Sequence, residues 1–117
     1  MREVLLTKDG SHTIAIPEKG VTYHSVHGAV QESMHVFIEA GLGAVLTSSH
    51  KPEINVFEMG FGTGLNAFLT ALVSLEQRRS LFYTTVETTP LTAEEASMLN
   101  YSDSLGYRDL FQALHQC

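Results

Sequence analysis

The chain has 117 residues, 44% of them hydrophobic and 17% charged, which suits one soluble globular domain with one core. No apolar run approaches the roughly 20 residues of a membrane-spanning helix, no secretory leader opens the chain, and a single cysteine, Cys117, excludes an internal disulfide; together these point to the cytoplasm and to no membrane partner. A net charge of -6 excludes the broad basic surface on which nucleic-acid binding usually rests.

In chain order, Val4 to Thr7 and His12 to Ile16 flank Lys8-Asp9-Gly10-Ser11, and Asp-Gly between two apolar runs predicts a β-hairpin. Pro17-Glu18-Lys19-Gly20 then breaks the chain, so residues 3–22 read as a hairpin extension, a flap or edge decoration on a single domain spanning 1–117. Tyr23 to Ala29 leads into a helix whose apolar stripe is Val30, Met34, Phe37 and Ile38, with Glu32, His35 and Glu39 opposite. His24, His27, His35 and Glu32 can be drawn as a metal site, but His-x-x-His with another His eight residues on matches no zinc spacing, and no metal is assigned. Tyr23, Ser25 and Glu32 read instead as polar groups lining a cleft or fixing the loop, and His35 as facing solvent. Gly41 to Glu53 is small and polar and includes Lys51-Pro52, which predicts a loop.

Asn55 to Asn66 is the most informative stretch. Ile54, Val56 and Phe57 predict a strand covered on both faces, and Gly60, Gly62 and Gly64 then permit a tight turn that a ligand can approach closely. Leu65, Phe68, Leu69 and Leu72 follow at helical spacing, so the first amides of that helix face the turn and favour an anion, while Arg78 and Arg79 sit at its carbonyl end. The dinucleotide pattern Gly-x-Gly-x-x-Gly is missed by one position, because Leu65 stands where its third glycine would fall. Glu58 places a charge at the strand end, where burial calls for a cationic or hydrogen-bonding partner; an amine or a sulfonium would serve. The next strand, Leu81 to Val86, ends in Glu87, 23 positions after Gly64, where a carboxylate can accept both hydroxyls of a ribose. The plain alternative is a glycine-rich turn, a capped helix and two chance carboxylates. Thr92-Ala93-Glu94-Glu95 is a capping box for a helix to about Leu99; Asn100 to Gly106 interrupts, and Tyr107, Leu110, Phe111 and Leu114 predict a last helix closing at His115, Gln116 and Cys117, read as scaffold.

Glu58-x-Gly-x-Gly-x-Gly together with Glu87 resembles the cofactor signature of the S-adenosylmethionine-dependent methyltransferases. More closely, Tyr23 to Leu42, Glu58 to Asn66 and Val86 to Thr92 resemble the MnmC-like family, the methyltransferase domain of the bacterial bifunctional enzymes that complete 5-methylaminomethyl-2-thiouridine in tRNA, with their stand-alone relatives. The resemblance implies a Rossmann-like α/β methyltransferase fold, here its N-terminal half only, preceded by the β-hairpin. It implies S-adenosylmethionine as cofactor, lying over the backbone of Gly60, Phe61, Gly62, Thr63 and Gly64, with Glu58 by its methionine end and Glu87 on its ribose. Asn66, Tyr23 and Ser25 are further candidates for the same site. The reaction implied is methyl transfer to an amine of a modified uridine, with tRNA as partner, and no catalytic residue is assigned. Such a fold needs more strands than the two central ones here, so the expectation is a truncated domain that dimerises to cover its open edge; the alternative is a non-catalytic module that binds the adenosyl cofactor.

Overall fold

In the computed structural model residues 1–116 are described; Cys117, expected at the close of the last helix, lies outside them. Strands β1 (Glu3–Leu6) and β2 (His12–Ile16) pair antiparallel, with Glu3 opposite Ala15 and Leu6 opposite His12. A short 3-10 turn at Pro17–Lys19 leads to β3 (Val21–Thr22) on the other side of β2. The hairpin turn is not a free flap. Thr7 Oγ1, Ser11 Oγ and Asp9 Oδ2 accept the amide hydrogens of Ala29, Val30 and Gln31 at 3.2, 3.1 and 2.9 Å, the orphan donors that open the next helix. The side chains of one segment thus cap a helix that begins well after it.

That helix runs unbroken from Ala29 to Ser48: α1 (Ala29–Ser33), a wider π-helical stretch (Met34–Leu42) and α2 (Gly43–Ser48). The loop expected over Gly41 to Glu53 therefore shrinks to the residues between α2 and the next strand. Small residues misled that reading, because the apolar stripe continues past them: Ile38, Leu42 and Leu46 are all buried. Thr47 and Ser48 turn their hydroxyls back onto the carbonyls of Gly43 and Ala44, both at 2.9 Å, which reconciles polar side chains with a helix.

Strand β4 (Glu53–Met59), helix α3 (Leu65–Gln77) and strand β5 (Ser80–Val86) form one βαβ unit, the strands parallel and in register from Glu53 opposite Ser80 to Met59 opposite Val86. This is the Rossmann-like α/β arrangement. Leu65, Phe68 and Leu69 bury the core face of α3, and each contributes about 1.5–3 kcal/mol by leaving water. Arg78, at φ 54°, ends the helix. Arg79 does more than complement the helix dipole: its guanidinium donates to the carbonyls of Leu46, Ser49 and Lys51 at 3.1–3.2 Å and ties the end of α2 to the start of β4.

The expectation that β4 is covered on both faces is not met. One face of the pair is covered, whereas the other presents Phe57 at 63%, Met59 at 80% and Phe82 at 61% exposure. The period-two pattern of strands explains the split, since alternate residues point to opposite faces and only one face meets α3.

After β5 come α4 (Ala93–Ser97), α5 (Tyr101–Leu105) and α6 (Arg108–Leu114). The capping box forms in full, with Glu95 N–H donating to Thr92 Oγ1 at 3.1 Å and Thr92 N–H to Glu95 Oε1 at 2.9 Å. The break expected at Asn100 to Gly106 holds a short helix instead. Its buried Tyr101 donates to the His12 carbonyl at 2.6 Å, and Asn100 bridges His12 N–H and the Gly10 carbonyl at 2.9 and 2.8 Å. Thus the last third of the chain holds the first, around a core in which Ile14, Leu65, Phe68, Tyr101 and Phe111 meet. Among the described residues, no helix is long and apolar enough to cross a membrane.

Candidate functional site

The turn between β4 and α3 depends on its glycines. Gly60, Gly62 and Gly64 have φ of 86°, 58° and 78°, a region that other L-residues enter only with strain. Gly60 and Phe61 N–H hold the turn to the end of β5 through the Val86 carbonyl, at 2.8 and 3.3 Å. A side chain at Gly60 would meet nothing within 4 Å, so the backbone is open there; one at Gly62 would meet the Tyr23 ring at 3.2 Å, and one at Gly64 the Phe61 and His115 rings below 3.0 Å. The outer side of the turn is thus accessible and its inner side is packed.

Both strand-end carboxylates converge on this turn. Glu87 accepts Gly62 N–H at 2.7 Å and Thr89 N–H at 3.1 Å, one on each oxygen. Glu58 is buried, and its oxygens accept from Asn66 Nδ2 at 3.0 Å and Thr85 Oγ1 at 3.2 Å, so neutral donors rather than a cation hold it within the chain. Burial pushes its carboxyl above the usual range, and these donors, with the neighbouring Tyr83 hydroxyl, oppose that rise. The same burial, reinforced by the Glu58 carboxylate, pushes the Tyr83 phenol well above its ordinary value. One buried atom beside Glu58, Asn66 Oδ1, has no hydrogen-bond partner among the described residues. A buried acceptor left open next to a carboxylate favours a donor-bearing cation.

Of the two loop candidates, the structure brings Tyr23 to the turn and leaves Ser25 behind it. The Tyr23 ring lies over Gly62 and its hydroxyl accepts from Arg2 at 3.5 Å. The Ser25 hydroxyl accepts His27 N–H at 3.1 Å and its amide donates to Glu32 at 3.1 Å, contacts that fix the loop itself. Thr63 is fully buried, backbone and side chain alike. The three histidines drawn as a metal set do not come together, and among the described residues no three His, Cys, Asp or Glu side chains do. His35 is exposed beside Glu39, whereas His24 Nε2 meets Thr63 Oγ1 at 3.1 Å and its Nδ1 faces Glu32 at 3.4 Å. Burial lowers the His24 pKa although Glu32 opposes this.

Two residues that sequence reasoning passed over also belong here. Arg2 grips Glu95 through two nitrogens at 2.9 and 2.8 Å and donates to the Thr89 carbonyl at 2.8 Å, fastening the segment that follows Glu87. His115, read as the close of a scaffold helix, donates Nε2–H to the Thr63 carbonyl at 2.9 Å. Neither carried a local signal, since their partners stand 93 and 52 positions away.

No family model matches the chain. Among curated proteins it is 34% identical over 107 residues to the tRNA 5-methylaminomethyl-2-thiouridine biosynthesis bifunctional protein MnmC of Cupriavidus metallidurans, and 39% identical over 74 residues to the protein of that name from Magnetococcus marinus. These alignments cover 89% and 61% of this chain. The fold matches the crystal structure of MNMC2 from Aquifex aeolicus with a TM-score of 0.69 over 99% of the chain, at 24% identity. This chain is an MnmC-like sequence. The MnmC-like chain spans 16% and 11% of the lengths of those two curated relatives, and 36% of the solved chain. The likeness to the solved structure reports the fold, and the turn, its carboxylates and Tyr23 are what the MnmC-like chain places upon it.

Proposed function

We propose that the glycine turn binds S-adenosylmethionine and that the chain is the cofactor-binding part of a methyltransferase acting on an amine, of which the aminomethyl group of a tRNA wobble uridine is the acceptor the relatives' names suggest. The observation that carries this reading is the position of Glu87, 2.7 Å from Gly62 N–H, which puts a strand-end carboxylate beside a glycine turn that opens a helix. The residues present fit the cofactor: an open backbone at Gly60 for close approach, Glu87 for the two ribose hydroxyls, and Glu58 with the unpaired Asn66 Oδ1 for the methionine ammonium. Tyr23 adds an aromatic wall beside Gly62, Phe61 contributes backbone, and Thr63 and Gly64, buried beneath, hold the shape of the turn. Ser25 supports the loop that carries Tyr23.

When bound, S-adenosylmethionine supplies an electrophilic methyl group on a sulfonium. What the chain itself contributes is orientation: the turn fixes the ligand's position, Glu87 its rotation about the ribose, and Glu58 its amino-acid end. No residue here is given the role of proton acceptor, and the acidic surface leaves the grip on a nucleic acid to other material. We place the chain in the cytoplasm and take it to associate with a second copy through the uncovered sheet face.

Titration calorimetry with S-adenosylhomocysteine tests the reading, with Glu87→Ala and Glu87→Gln as controls and circular dichroism recorded on each sample. Saturable binding by the wild type, weakened about tenfold or more when the charged acceptor is lost, is the expected result. Absence of binding by a folded wild-type chain overturns it. Binding without turnover on any amine acceptor would favour a non-catalytic cofactor-binding module.

A further inference from the structure

Thr63, at the centre of the glycine turn, is gripped from two sides by imidazoles. His24 Nε2 lies 3.1 Å from its hydroxyl, and His115 donates Nε2–H to its carbonyl at 2.9 Å. The His115 ring also fills the space a side chain at Gly64 would need, with Nε2 2.7 Å from that position. It stands edge-on to Phe61 at 5.1 Å and to Phe111 of α6 at 4.7 Å between ring centres. His115 is therefore the point at which the last helix takes hold of the turn. A turn with three glycines has many conformations open to it, and a ligand that needs one of them binds more weakly unless something removes the others.

We infer that His115 is a positioning residue for the turn, holding the Thr63–Gly64 peptide so that the backbone of Gly60 to Gly64 is already in its ligand-binding shape. The inference rests on the reading of this turn as the S-adenosylmethionine site. Its hydrogen bond to the turn goes to the Thr63 backbone, its ring packs on Phe61 and Phe111, and it takes no part in chemistry.

Two variants separate donor from ring. His115→Gln keeps an N–H of similar reach without the ring, and His115→Phe keeps the ring edges without the donor. In titrations with S-adenosylhomocysteine, His115→Phe binds about tenfold more weakly than wild type and His115→Gln recovers most of the loss, with unfolding still cooperative in both. Equal affinity of wild type and His115→Phe overturns the inference, as does equal loss in both variants. A measurement on the wild type needs neither variant to fold: in a 15N-histidine spectrum neutral His115 carries its proton on Nε2, and the amide resonances of Gly62 and Gly64 shift as the His115 ring titrates. A proton on Nδ1, or glycine amides that ignore the titration, overturns it equally. Because that spectrum needs no ligand, a wild-type chain that fails to bind removes the cofactor reading, whereas a binding wild type with unresponsive variants removes this inference alone.

Discussion

Asp9 concentrates several interactions on one carboxylate: Oδ1 accepts from Thr7 Oγ1 at 2.9 Å and from Ser11 N–H at 3.0 Å, and Oδ2 from Gln31 N–H at 2.9 Å. Burial by itself would raise its pKa, but the hydrogen bonds from Ser11, Gln31 and Thr7 outweigh burial and hold it at about 2, against 3.8 when free. A carboxyl depressed in the folded state stabilises the fold above its unfolded pKa, so this contribution is complete above 3.8 and is lost as pH falls from there towards about 2. Thermal melts across that interval should therefore show a steeper fall for the wild type than for Asp9→Asn. At neutral pH, Asp9→Ala costs about 1–2 kcal/mol in urea unfolding, the usual range for a lost helix cap. In the glycine turn the surroundings rank two substitutions. Gly60→Ala meets open space and suffers only backbone strain of about 1–3 kcal/mol, whereas Gly64→Ala adds a clash with the His115 and Phe61 rings. Urea unfolding should place Gly64→Ala as the less stable of the two.

Among the elements, the long helix separates two other glycines. A methyl at Gly41 would meet only the Val36 carbonyl at 3.8 Å, while one at Gly43 would press on the Ile38 carbonyl at 3.0 Å. Gly41→Ala should raise stability by about 0.5–1 kcal/mol in chemical denaturation, and Gly43→Ala should give no gain or a loss. The helix also shows where sequence reading ends: Gly41 to Ser48 looked like a loop because the residues are small, although the buried spacing of Ile38, Leu42 and Leu46 runs straight through them. The β4–turn–α3–β5 unit was legible because its signals are local, with the glycine spacing, the apolar helix face and a carboxylate at each strand end all within a few residues of what they determine. The hairpin was legible from Asp9-Gly10, but not its role as a helix cap, which depends on residues 22 positions away. Phe57 was misplaced for another reason: an apolar residue in a strand states that its face is suited to burial and says nothing about what covers it. His115 and Arg2 were invisible as site residues because only the folded chain brings them to Thr63, Thr89 and Glu95.

For the whole molecule, the uncovered face of the β4–β5 sheet is the surface through which the proposed second copy would bind. Phe57, Met59, Phe82 and Val86 are all close to half exposed or more and lie on that one face, and a contiguous exposed apolar patch is the kind of surface that partners cover. Sedimentation velocity should show mass rising with concentration in the wild type and falling towards the monomer in Phe57→Lys; a wild type that stays monomeric at high concentration removes the second copy from the account. The distribution of long-range contacts has a different consequence, for the order in which a nascent chain completes itself. Thr7, Asp9 and Ser11 are made before the helix they cap, so its costly first turn can form against partners already in place. The groups that receive Arg2 and meet His12, namely Glu95 and Tyr101, follow them in the chain by 93 and 89 positions. During translation Arg2 and His12 therefore wait with these partners unmade, and the hairpin is secured only once the helices that follow β5 have formed.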